Sequence, residues 1–221
     1  MTVAKFLSLC LPIFPYIYIS MDRRLIVILA VCLVEAGFRL LSGYIFVDGL
    51  IYTLMARLVE LTVILVFSYR LCGVMTASIS KELAIGLGTA AVFGSCVLAI
   101  DLVSRIFMEK GLLSQLLSEQ PLDHWVAFFF IGCLIGPFVE ELFFRGLLYA
   151  WMRESLGASV CIILTSLLFS CLHGNISVIQ LTGGILFASI YEWRRNIWAP
   201  FIVHALANIG IWIIPHIHPF M

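Results

Sequence analysis

The chain has 221 residues, of which 62% are hydrophobic and 12% charged, and its 13 basic and 13 acidic side chains cancel to a formal net charge of +0. At a mean hydropathy of +1.11 there is too little polar surface to coat a water-soluble globule, and the balanced charge without a basic patch gives no support to nucleic-acid binding. The apolar runs lack period-two alternation, which excludes a membrane β-barrel. What remains is an all-α, polytopic transmembrane helical bundle with the lipid bilayer as its solvent. Each apolar run of about 20 residues can cross as a helix because a helix satisfies its own backbone where water is absent.

The sequence predicts about eight spans, over residues 4–20, 25–46, 50–69, 83–107, 125–151, 156–172, 178–191 and 197–214. The first is short and carries Pro12 and Pro15, so it suits an interfacial segment as well as a crossing one. It is a poor signal peptide, because Asp22, Arg23 and Arg24 follow it in place of a small-residue cleavage site. In the next three spans Glu35 with Arg39, Arg57 with Glu60, and Asp101 with Arg105 stand three or four positions apart, the spacing of self-neutralising structural ion pairs. The longest connection, 108–124, alternates Leu112, Leu113, Leu116 and Leu117 with Glu109, Lys110, Ser114, Gln115 and Glu119. That pattern predicts an amphipathic helix on the membrane surface, a candidate gate with Gly111 and Pro121 as hinges.

The fifth span is unlike the others. Glu140, Glu141 and Arg145 fall within six positions of an otherwise apolar run, and a charge in the bilayer costs about 2.5 to 3.5 kcal/mol on insertion scales, which makes each a functional-site candidate. At about 100° per residue, Glu141 and Arg145 share a face and can pair, whereas Glu140 must find its partner on another span or in water. One turn earlier Gly136-Pro137 removes a backbone donor and frees the carbonyl of Cys133. Span six ends in Phe169-Ser170-Cys171-Leu172-His173, and span eight carries His204 and Asn208 on one helical face. A pocket holding one carboxylate, two imidazoles and a carboxamide contains a base, a proton shuttle and oxyanion donors, the parts needed to hydrolyse an amide with water. Two histidines and a glutamate also match a catalytic zinc, although no His-Glu-x-x-His is present and the three come from separate spans. From a different class, charges inside spans also line ion or proton paths in transporters, or hold a non-catalytic scaffold together.

Glu-Glu-x-x-x-Arg at 140–145, Phe-x-x-x-His at 169–173 and His-x-x-x-Asn at 204–208, in that order on successive apolar helices, resemble the signature of the CPBP family of intramembrane proteases. That family includes the type II CaaX prenyl endopeptidases and bacteriocin-immunity-type proteins, and the likeness covers about the carboxy-terminal 95 residues. The resemblance implies a glutamate peptidase without a cofactor, in which Glu140 and His173 activate a water, His204 and Asn208 stabilise the oxyanion, and Glu141 and Arg145 support them. It implies as partner a membrane-anchored or lipidated protein, cut near its carboxy-terminal tail.

No composition shift marks a second domain, so 1–221 reads as one membrane domain, with 125–214 carrying the motif helices. Seven cysteines, Cys10, Cys32, Cys72, Cys96, Cys133, Cys161 and Cys171, lie in or beside spans without a C-x-x-C pair and read as small buried hydrophobes. His124, His216 and His218 read as interfacial side chains. If all eight spans cross, the loops after spans one, three, five and seven hold Arg23, Arg24, Arg70, Lys81, Arg153, Arg194 and Arg195, against Lys5, Arg105 and Lys110 opposite. The positive-inside rule then puts the first set in the cytoplasm and both termini outside. The expected location is a bacterial inner membrane.

Overall fold

The computed structural model describes residues 22–44, 48–67, 78–108, 113, 124–173 and 178–217. Among them seven helices follow one another: α1 (Arg23–Leu41), α2 (Gly49–Phe67), α3 (Ile79–Met108), α4 (Trp125–Met152), α5 (Ala158–Leu172), α6 (Val178–Arg194) and α7 (Trp198–Ile217). They correspond to predicted spans two to eight. The first predicted span and Arg70 lie outside the described residues, as does the 108–124 connection except for its ends and Leu113.

The architecture is an all-α membrane bundle. Of the seven helices, α2, α3 and α4 are long and apolar enough to cross a membrane by themselves, while Ala158–Leu172 and Trp198–Ile214 are shorter apolar stretches. The all-α bundle is as expected, and the count of about eight spans is approximate. α5 and α6, at 15 and 17 residues, fall short of the roughly 20 that a full crossing needs, and α1 carries Glu35 and Arg39 toward its carboxy-terminal end.

α4 sits in the middle and packs against α1, α2, α5, α6 and α7. Its buried side chains Val139, Leu142, Phe143, Phe144, Leu147 and Tyr149 form the heart of the core. Lipid tails are as apolar as leucine, so helices in a membrane associate through close packing and polar contacts rather than through escape from water. Both devices are present. α5 and α6 approach so closely that a Cβ on Gly184 would lie 3.1 Å from the Cα of Ser166. Buried charges on α4 meet partners from α2, α6 and α7.

α3 packs on α7 at the side of the bundle. Asp101 on α3 pairs with Arg105 at 2.8 Å and accepts from the backbone N–H of Leu113 at 2.6 Å, which ties the 108–124 connection to this helix. His124, left-handed at φ 63°, turns the chain into α4 and is exposed, as expected of an interfacial residue.

The basic residues assigned to one side do gather at one end. Arg24 pairs with Asp22 and Glu154, Arg153 and Arg195 with Glu192, and Arg194 with Glu82. The Arg24 guanidinium holds the carboxyls of Asp22 and Glu154 below the ordinary carboxylate range. This tie is therefore present at neutral pH and is lost as pH falls through that lowered range.

The cysteine expectation needs correction. Cys133 and Cys161 are buried, but Cys32, Cys96 and Cys171 are exposed on the bundle surface, and all five are free thiols. In a bilayer the outer face is itself apolar, so a small soft side chain is as much at home there as in the core. Cys10 and Cys72 lie outside the described residues, as do His218 and the side chain of His216.

Candidate active site

α4 is not a uniform α-helix. Its hydrogen bonds widen to an i→i+5 pattern over Ile131–Ile135 and again over Leu142–Tyr149, and Gly136–Glu141 between them is regular. Such widened turns collect at functional sites because each shifts the faces that the helix presents. The Gly136 N–H donates to Ile131 O. In this register the next donor would be the N–H of residue 137 bonding Gly132 O, and Pro137 has none. The Gly132 carbonyl is therefore without a donor in its own helix, one residue before the Cys133 carbonyl that an α-helical count also frees. Asn208 Nδ2 fills the vacancy at 2.9 Å.

Glu141 and Arg145 pair as their spacing predicts, at 3.1 Å with both side chains fully buried. Arg145 also donates to Gly184 O at 3.0 Å, and its guanidinium lies 5.3 to 5.6 Å from the rings of Phe144, Phe169 and Phe187. This fully buried cation is held by a carboxylate, a carbonyl and three aromatic faces. The same Glu141 Oε1 lies 2.9 Å from His204 Nδ1. Because a carboxylate paired with arginine accepts only, Nδ1 carries the proton and Nε2 points away from Glu141.

His204 Nε2 faces Glu140, 3.7 Å from Oε2. His173 Nε2 lies 3.9 Å from that same oxygen. His173 Nδ1 donates to Phe169 O at 2.7 Å, one turn back along α5, so in the neutral ring Nε2 is the bare nitrogen. Phe169 serves both histidines, with its ring centroid 4.5 Å from that of His173 and 5.5 Å from that of His204, while Phe187 stacks on His204 at 4.4 Å.

Glu140, Glu141, His173 and His204, predicted from three separate spans, are thus brought together. Asn208 lies one turn beyond His204 on α7 with one amide N–H committed to α4. Among the described residues no group of three or more histidine, cysteine, aspartate or glutamate side chains forms a metal-binding cluster.

Four residues beside Glu140 were not anticipated as part of the site. Arg57 Nη2 lies 3.3 Å from Glu140 Oε1, and Nη1 lies 2.6 Å from Glu60 and 3.4 Å from Glu35. Glu35 in turn pairs with Arg39 at 2.8 Å. The intrahelical pairs expected from spacing are present, but the Arg57–Glu60 and Glu35–Arg39 pairs also join each other and reach Glu140. Together with Val31, Cys32, Val139, Phe143, Phe144 and Leu172 they line a cavity of about 210 Å³ that ends at Glu140 and His173. Intramembrane charge in the second and third predicted spans was the available signal, masked because each pair looked self-sufficient.

Residues 122–210 match the family model described as Type II CAAX prenyl endopeptidase Rce1-like. The chain is 25% identical over 80 residues to a putative membrane peptidase, YdiL, of Bacillus subtilis (strain 168), covering 35% of this chain and 33% of that protein. It is 25% identical over 100 residues to the membrane-embedded CAAX protease MroQ of Staphylococcus aureus (strain USA300), covering 42% and 40%. These alignments span well under half the length of either relative. No solved structure gives a significant match.

Proposed function

We propose that the chain is an intramembrane protease of the CPBP family, a reading supported by the match of residues 122–210 and by the two bacterial relatives, and that it hydrolyses a peptide bond near the carboxy-terminal tail of a membrane-anchored or lipidated protein. The observation that carries the reading is the convergence of two imidazole Nε2 atoms on one oxygen of Glu140, at 3.7 and 3.9 Å. These separations are too long for direct hydrogen bonds. Glu140 Oε2 and the bare Nε2 of neutral His173 are both acceptors, and a single water can span them with its two O–H donors.

In the proposed reaction the oxygen of that water attacks the scissile carbonyl carbon while its proton passes to Glu140 or His173. The carbonyl oxygen becomes an oxyanion. His204 stabilises it through Nε2–H, a bond that requires the imidazolium, since Nδ1–H is committed to Glu141; the second amide N–H of Asn208 completes the pair of donors. Collapse of the tetrahedral intermediate breaks the C–N bond, and the proton held by Glu140 or His173 goes to the leaving amine. Glu141 and Arg145 fix the ring of His204 and its tautomer without touching substrate.

The test uses the purified full chain in proteoliposomes with an internally quenched, farnesylated peptide carrying a free carboxy-terminal tail. Wild type should cleave it in the presence of chelators, and Glu140→Gln should be inactive. The variant should still fold, because Arg57 retains Glu35 and Glu60 as counter-ions. Substantial turnover by Glu140→Gln would remove that residue from the mechanism, and stoichiometric zinc with chelator-sensitive activity would replace it with metal catalysis.

A further inference from the structure

We propose that Arg57, on a helix outside the region matched to the protease family, is a positioning residue that fixes which oxygen of Glu140 faces the two histidines. This rests on the proteolytic reading above and adds to it the part contributed by the amino-terminal helices.

A glutamate side chain has three rotatable bonds and two equivalent oxygens, so nothing in its own chemistry selects one of them as the base. The selection comes from Arg57. Its Nη2 engages Oε1 at 3.3 Å, and Oε2 is the oxygen left for His173 and His204. The guanidinium is itself held from behind, because Nη1 is 2.6 Å from Glu60 Oε2 and 3.4 Å from Glu35 Oε2. The planar fork suits this: Nη1 is anchored by hydrogen bonds while Nη2 lies in ion-pair range of Glu140 Oε1, two separate points that a lysine ammonium with a single point of charge cannot reproduce.

The contacts continue into a closed circuit. Glu35 Oε1 accepts from Arg39 Nε at 2.8 Å, and Arg39 Nη2 donates to the backbone carbonyl of Leu172, the residue before His173. From Glu140 the circuit therefore runs through Arg57, Glu35 and Arg39 to the end of α5 that carries His173. It ties α1, α2, α4 and α5 around the cavity and links Arg57 to the helix end that carries His173. A role limited to neutralising buried charge would need only a cation at this position. The positioning role needs the fork.

Arg57→Lys separates the two. In the assay above it should keep the folded yield, the thermal midpoint and KM near wild type while kcat falls on the order of 100-fold, the scale of a displacement of about 1 Å at the reacting groups. An unchanged kcat, or a loss confined to KM, would overturn the proposal. Should Arg57→Lys not fold, Glu60→Gln removes the shortest anchor of Arg57 and leaves its charge; kcat should fall on the order of 10-fold, and an unchanged kcat again overturns the positioning role. Should wild type leave the peptide intact, the proteolytic reading fails for that substrate. The Arg57–Glu140 contact is then judged by thermal unfolding of Arg57→Lys, Glu140→Gln and the double variant. Non-additive shifts support it and additive shifts overturn it.

Discussion

Asn208 donates through Nδ2 to Gly132 O, and the donor which that carbonyl lacks within its own helix is the one Pro137 cannot supply. The side chain therefore stands between two demands, satisfying a backbone group of α4 and, in the proposed mechanism, offering its second N–H to the oxyanion. Asn208→Ala should show both losses. An unsatisfied carbonyl costs about 1–3 kcal/mol, and removal of one preorganised oxyanion donor lowers turnover about 100- to 1,000-fold. Pro137→Ala separates them by returning an N–H to the Gly132 carbonyl. In that background the stability cost of Asn208→Ala, measured by thermal unfolding in detergent, should shrink, while the loss of peptide cleavage should persist. An equal stability cost in both backgrounds would mean that the proline is not the reason for the Asn208 bond.

At the scale of the element, α4 places two glutamates with opposite solutions to the same problem. Glu141 is neutralised on its own helix by Arg145 at 3.1 Å, and neither side chain is exposed. Breaking such a pair from one side leaves a bare charge and costs about 3–5 kcal/mol, whereas removing both charges is far milder. Glu141→Gln and Arg145→Met should each lower the folded yield more than the double variant does, as read by size-exclusion recovery and thermal unfolding. Singles as stable as the double would deny the ion pair its structural part. This pair was legible in the sequence because i,i+4 spacing is a local property of a helix. The partner of Glu140 was not, since Arg57 comes from a helix far upstream and Glu60, three positions away, seemed to account for it. The free carbonyl of Gly132 was not foreseen because the i→i+5 turn before Pro137 leaves no mark in composition or periodicity. The motif residues could be listed from sequence, but which oxygen faces which nitrogen depends on contacts among five helices.

Across the whole molecule the charges sort by depth and by end. The cluster around Glu140 lies on the inner faces of α1, α2, α4, α5 and α7, while Arg24, Arg153, Arg194 and Arg195 meet Asp22, Glu154, Glu82 and Glu192 at one end of the bundle. The Arg24–Glu154 tie is largely exposed, and pairs of that kind contribute about 0–1 kcal/mol, so this tie does little to hold the helices together. The arginines at this end bear instead on insertion, because positively charged loops are retained on the cytoplasmic side. The end with Glu154 should therefore face the cytoplasm and the end with His124, across the length of α4, the opposite compartment. Single cysteines introduced by Glu154→Cys and His124→Cys into a background lacking the native thiols would report this in intact cells. A membrane-impermeant maleimide applied from outside should label the second and reach the first only after the membrane is opened. The reverse pattern would invert the bundle and place the Arg24–Glu154 end outside. Equal labelling of both without permeabilisation would mean that α4 does not cross the bilayer as its 28 residues allow.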